Sequence, residues 1–228
     1  MAGRWRWPTE ARITAAGLMD TPITHFTVNS MPEKSIPEHS AILTPRETFI
    51  QAGIHLMKAE GPDSLSLNRI LAQAKKPRGS FYAAFESKEA YLAQLISHYF
   101  KPPTDVLTIF AAGASTGSHD TLRAWASWCV QRLMLASGGG DRTVSLTEMA
   151  GRSLNPSVTA EICEGLFHER TVALGKILSA AQFLPGPEAE VQASLLLAML
   201  DGVEARASAT QNPGLIEQFF NYFFKHLT

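Results

Sequence analysis

Between Thr44 and Leu92 the chain is interrupted at Gly61-Pro62, at Lys75-Lys76-Pro77 and at Ser87, and each interval carries apolar residues spaced three or four apart. Helices this short are marginal in isolation and must bury their apolar stripes against one another. Thr44 suits an N-cap and Pro45 the first helical position, while Phe49, Ala52, Gly53, Leu56 and Met57 share the inner face of a first helix that Gly61-Pro62 ends. Ser66 caps a second helix with Leu67, Ile70, Leu71 and Ala74 inward. A third runs from Arg78 to about Phe85, with Phe81, Tyr82 and Phe85 as its apolar side, and Ser87, Glu89 and Ala90 open a fourth. Helices two and three, a tight turn apart, have the proportions of a helix-turn-helix, whose second helix enters the DNA major groove.

Beyond Lys101-Pro102-Pro103 the periodic stretches lengthen, and helices are expected over 104–112, 119–137, 144–152, 156–182, 188–209 and 213–226. No stretch alternates as a strand would, so the fold class is all-α. Residues 1–43 carry Pro8, Pro22, Pro32 and Pro37 and no sustained periodicity, and a disordered N-terminal arm is expected there. Two domains follow, 44–100 and 101–228.

Composition excludes several classes. A chain of 228 residues, 45% apolar and with net charge -1, can build a core without a disulfide or metal. Cys129 and Cys163 form no Cys-x-x-Cys spacing, so neither a zinc site nor a redox pair is indicated. No apolar run approaches the ~20 residues of a membrane span, and no secretory leader is visible, which points to a cytoplasmic protein. The histidines make no His-x-x-x-His or His-Glu-x-x-His pair, Glu164 and His168 read as a surface pair, and neither a Gly-x-Ser-x-Gly elbow nor a phosphate loop occurs. No catalytic residue, metal ligand or cofactor is therefore expected. Charge is uneven: residues 44–100 hold seven basic and five acidic side chains, with Lys75, Lys76 and Arg78 inside four positions. On charge alone this cluster reads as a solvated surface.

The order Gly61, Leu65-Ser66-Leu67, Ile70, Ala74, Gly79-Ser80-Phe81-Tyr82, Phe85, Ser87-Lys88-Glu89-Ala90 and Leu92 resembles the TetR family of one-component bacterial transcriptional regulators. The resemblance implies a repressor that binds a pseudo-palindromic operator in double-stranded DNA as a homodimer and is released by a small-molecule effector. Its DNA-binding residues would be Ser66, Lys75, Lys76, Arg78, Gly79, Ser80, Tyr82 and Lys88, with the Tyr82 hydroxyl and Lys88 on phosphate. Gly79 would let the helix approach the backbone closely, and Ser80 and Arg78 could donate to phosphate or base edges. Four positions depart from the pattern. Pro77 replaces a capping Ser or Thr, Lys76 a small apolar residue, and Ala83-Ala84 side chains that often touch DNA. Pro77, Ala83 and Ala84 keep open a second reading, a helical interaction protein with this fold and weak or lost DNA binding.

For the C-terminal domain the resemblance implies that the last two long helices pair with those of a second subunit. Ala189, Ala193, Leu196, Leu197 and Leu200 offer an apolar face for that pairing, or else fill a monomer core. At 100° per residue, Trp125, Arg132 and Trp128 fall at about 200°, 180° and 140° around their helix, which projects the arginine between two indoles. Trp125, Trp128, Cys129, Arg132, Phe167 and Arg170 are accordingly the expected effector-binding residues, for a partly apolar, anionic molecule. Snorkelling, or pairing with a structural carboxylate, is the alternative for Arg132.

Overall fold

The computed structural model describes residues 43–116, 119–138, 142–151, 156–182 and 186–226, and the expected N-terminal arm lies outside them apart from Leu43. Nine helices occur among these residues: α1 Pro45–Glu60, α2 Leu67–Ala74, α3 Arg78–Ala84, α4 Lys88–Ala112, α5 Asp120–Gly138, α6 Leu146–Gly151, α7 Pro156–Ala180, α8 Gly186–Ala209 and α9 Gly214–His226. A 3-10 turn, Pro62–Ser64, follows α1, and no strand appears among the described residues.

The caps fall where side-chain chemistry places them. Thr44 Oγ1 accepts from the Glu47 amide at 3.2 Å while the Thr44 amide donates to Glu47 Oε2 at 2.8 Å, closing a capping box. Ser66 and Ser87 cap α2 and α4 by accepting from the amides of Arg69 and Ala90. Gly61 ends α1 at φ 91°, where the guanidinium of Arg142 lies against it so closely that a Cβ would collide. The positive φ favours glycine there, whereas the guanidinium, at the tip of a flexible side chain, could shift aside.

Two cores result. Around Phe81, buried at 0% exposure, the rings of Phe49, Phe85 and Tyr91 stand with centroids 5.1 to 6.3 Å apart, and the Tyr91 hydroxyl donates to the Phe49 carbonyl at 3.0 Å. Leu146 and Met149 of α6 and Cys163 and Leu166 of α7 enter this same core, so it is not built from residues 44–100 alone. The second core gathers the far half of α4 with α5, α7, α8 and α9 around Trp125, Leu174, Leu196 and Phe220.

One expected break is absent. Instead of a new helix beginning at Thr104, α4 runs unbroken through Pro102 and Pro103. Each proline lacks an N–H and strains the turn before it, at a cost of about 3 kcal/mol in a helix interior. Burial on both sides offsets that: Phe100, Thr104, Val106, Leu107 and Phe110 are all buried. Thr104 Oγ1 also donates to the Phe100 carbonyl at 2.9 Å, and Lys101 reaches Glu169 of α7 at 2.6 Å. The two expected domains are joined by one continuous helix.

Candidate nucleic-acid interface and a buried charge cluster

The turn between α2 and α3 carries the basic cluster. Lys75 closes α2 in a left-handed conformation at φ 51°, and Lys75, Lys76, Arg78 and Gly79 are all exposed. None of the three cations is in an ion pair among the described residues. Ser66, exposed, stands at the opposite end of α2, and Lys88, half-buried, is the first residue of α4 beside the Ser87 cap.

Within α3 the two aromatic neighbours part. Phe81 is buried, whereas Tyr82, expected on the apolar side, is 46% exposed, its ring edge-on to Phe81 and its face 5.7 Å from the Arg78 guanidinium carbon. The hydroxyl is left outward. Pro77 occupies the N-cap with no side-chain hydrogen bond, and the Ser80 amide and hydroxyl both donate to the Pro77 carbonyl, at 3.1 and 2.7 Å. The Ser80 proton is thereby engaged inside the protein, leaving its oxygen to accept; its expected role as donor to DNA would require that bond to break. Around Gly79 no atom lies within 4 Å of where a Cβ would stand. Nothing in the fold demands glycine at that position.

Arg46 went unnoticed in the sequence. It lies on the first turn of α1, yet its guanidinium donates to the Ala84 carbonyl at 2.6 Å and to Gln94 Oε1 at 2.9 Å, and lies 5.1 Å from the Phe85 ring centre. Arginine at such a position carries no local signal, because its partners are 38 and 48 residues away.

The expected effector residues divide between two environments. Trp125 and Cys129 belong to the C-terminal core, Trp125 edge-on to Phe220 at 5.8 Å, whereas Phe167 packs against the other core. Arg132 stacks over Trp128 at 5.5 Å and not between two indoles, and it donates to Glu204 at 2.7 Å. Arg170 lies 3.8 Å from Asp201, whose other oxygen accepts from the Thr147 hydroxyl at 2.7 Å. Two buried carboxylates one turn apart on α8 thus face arginines of α5 and α7. Cys129 feels the charges of Arg132, Glu204 and Arg170, which brings these groups into one cluster, and burial pushes its thiol up to about 12. The Arg132 Nε is buried without a hydrogen-bond partner among the described residues.

A strap links the carboxyl-terminal part of α8 to the N-terminal bundle. The Arg142 amide donates to the Lys58 carbonyl in the last turn of α1, the Thr143 amide to Ser208 of α8, and the Arg142 guanidinium to Glu148 of α6.

The apolar α8 face singled out in the sequence is not on the surface. Ala189, Ala193, Leu196, Leu197 and Leu200 are buried within the single chain, against α7 and the C-terminal core. A different stripe is open: Val191, Leu195 and Met199 are each more than half exposed, as is Tyr222 of α9. Periodicity identified residues that share a face but not what covers that face.

A helix-turn-helix with an exposed basic turn, carried on a larger all-helical body, defines the class of protein. Residues 49–95, which span α1 to the first half of α4, match the family model described as bacterial regulatory proteins, tetR family. About four-fifths of the chain shares its fold with solved regulators whose descriptions name that family. It is 20% identical to the regulatory protein TetR from Rhodobacter sphaeroides, with 80% of this chain and 98% of that one covered at a TM-score of 0.67. A TetR-family transcriptional regulator from Agrobacterium tumefaciens is 17% identical, with 81% and 97% covered at 0.67. FadR from Bacillus subtilis, solved in complex with stearoyl-CoA, is 16% identical, with 79% and 96% covered at 0.57. No curated protein matches the chain by sequence. None of the described helices is long and apolar enough to cross a membrane.

Proposed function

We propose that the chain is a cytoplasmic, non-enzymatic transcriptional regulator, a repressor that binds a pseudo-palindromic operator as a homodimer and releases it on binding a small molecule. The observation that carries the DNA reading is Gly79. An exposed helical glycine with open space around it destabilises its own helix, so its advantage lies in what approaches from outside. Lys75, Lys76, Arg78 and the Tyr82 hydroxyl surround it in the chain and supply cations and a donor suited to phosphate. Ser66 and Lys88 extend the contact to neighbouring helix ends, where backbone amides favour an anion.

Dimerisation is assigned to the open stripe Val191, Leu195 and Met199, continued by Gly202, where no atom lies within 4 Å of an added Cβ. A second copy related by a two-fold axis covers the stripe with its own and sets two recognition helices on one face of the duplex. The effector is assigned to the Arg132 cluster. An acceptor on the ligand satisfies the buried Nε and competes with Glu204, and FadR of the same fold was solved with stearoyl-CoA. Movement of α8 then reaches α1 through Ser208, Thr143 and Arg142.

The test is selection of random duplexes by the purified protein, which should enrich an inverted repeat bound ever more weakly as salt rises. Failure to enrich any sequence favours the interaction-protein reading that Pro77, Ala83 and Ala84 motivate.

A further inference from the structure

We propose that Arg46 is a positioning residue for sequence reading: it clamps the carboxyl end of the recognition helix α3 to α4, and does not serve as a phosphate contact. The proposal rests on the reading of α3 as the DNA-recognition helix. The helix has only seven residues and no side-chain cap at its N-terminus, so its orientation depends on contacts made elsewhere. On its inner side Phe81 and Phe85 are gripped by the aromatic core. At its carboxyl end the Phe81 carbonyl accepts from the Phe85 amide at 2.8 Å, and the Ala84 carbonyl accepts from Arg46 at 2.6 Å. A cation there also complements the negative end of the helix.

The geometry of Arg46 is that of a fork. One nitrogen holds Ala84 of α3 and the other holds Gln94 of α4, while the guanidinium carbon lies 5.1 Å from the Phe85 ring centre. Three helices therefore meet on one side chain. The basic turn sits at the opposite end of α3, about 9 Å away at 1.5 Å per residue, so a tilt at the clamped end displaces the residues that face the groove. Reading base edges demands placement to within about 0.5 Å, whereas long lysines tolerate more. Loss of the clamp should thus erode discrimination between sequences while leaving the non-specific attraction in place.

The experiment uses the full chain with Arg46→Gln, Arg46→Lys and Gln94→Ala. Two quantities are read: amide exchange along α1, α3 and α4, and affinity for the selected operator and an unrelated duplex over a range of salt. Both Arg46 variants should speed exchange at Phe81 to Phe85 by about tenfold while Leu56 and Met57 are unchanged. Operator affinity should drop by about tenfold, with the unrelated duplex within twofold and the salt slope unaltered. Lysine keeps the charge but cannot span both acceptors, so it should not rescue, and Gln94→Ala should fall between wild type and Arg46→Gln. Restoration by lysine overturns the clamp. So does an equal loss on both duplexes with a salt slope smaller by about 1, the mark of a phosphate contact. Unchanged exchange in α3, or acceleration spread over the whole bundle, also overturns it. If the wild type selects no operator, the DNA reading fails, and the exchange pattern still decides whether Arg46 holds α3.

Discussion

Phe81 and Tyr82 stand about 100° apart around α3 with their rings edge-on at 5.5 Å, one buried in the aromatic core and the other 46% exposed beside Arg78. Removing the outward hydroxyl in Tyr82→Phe should cost roughly 1 to 2 kcal/mol of operator affinity at fixed salt while the melting temperature stays the same. Unaltered affinity would make Tyr82 a packing residue. The two cysteines give a second test at this scale. Burial pushes Cys129 up to about 12 and Cys163 up to about 11 from an ordinary 9.0, so at pH 8 both are protonated and poor nucleophiles. An aromatic disulfide reagent should find neither thiol in the native protein and both after unfolding; rapid titration of one in the native state would contradict their burial. Because the folded values are raised, the thiols' contribution to stability is complete below pH 9.0 and declines as pH climbs toward 11 to 12.

Among the elements, the junction of α1 with the strap before α6 is the most constrained backbone. Gly61→Ala forces a Cβ into a positive-φ residue and against Arg142, and should destabilise the fold by roughly 1 to 3 kcal/mol, measured as a lower urea midpoint with unchanged slope. Wild-type stability would show that strap and helix end can separate freely. The stop at Gly61 was legible in the sequence, as were the caps Thr44, Ser66 and Ser87, because each acts through atoms a few residues away. Pro102 and Pro103 misled for the opposite reason: whether a helix survives two prolines depends on the burial of Phe100, Leu107 and Phe110, which only the packed body supplies. The buried charge cluster was half legible. The face bearing Arg132 could be read from helical angles, but its partner Glu204 lies 72 residues away, and nothing local marks the pair.

In the proposed whole molecule a DNA-reading head is joined to a body that pairs with a second copy to read two half-sites. Leu195→Glu places a charge in the open α8 stripe without touching the monomer core, so it should yield a folded monomer by sedimentation, with operator affinity lost more than tenfold. A dimer that persists would move the interface elsewhere. The central claim, that α3 presents its glycine to DNA, is tested most directly by Gly79→Ala in one preparation measured two ways. Alanine meets no protein atom there and favours helix, so unfolding free energy should rise by roughly 0.5 to 1 kcal/mol. Operator affinity should nevertheless fall about tenfold, or about 1.4 kcal/mol, as the methyl group meets the backbone of the duplex. A variant that is more stable and binds operator as tightly as the wild type would contradict the account.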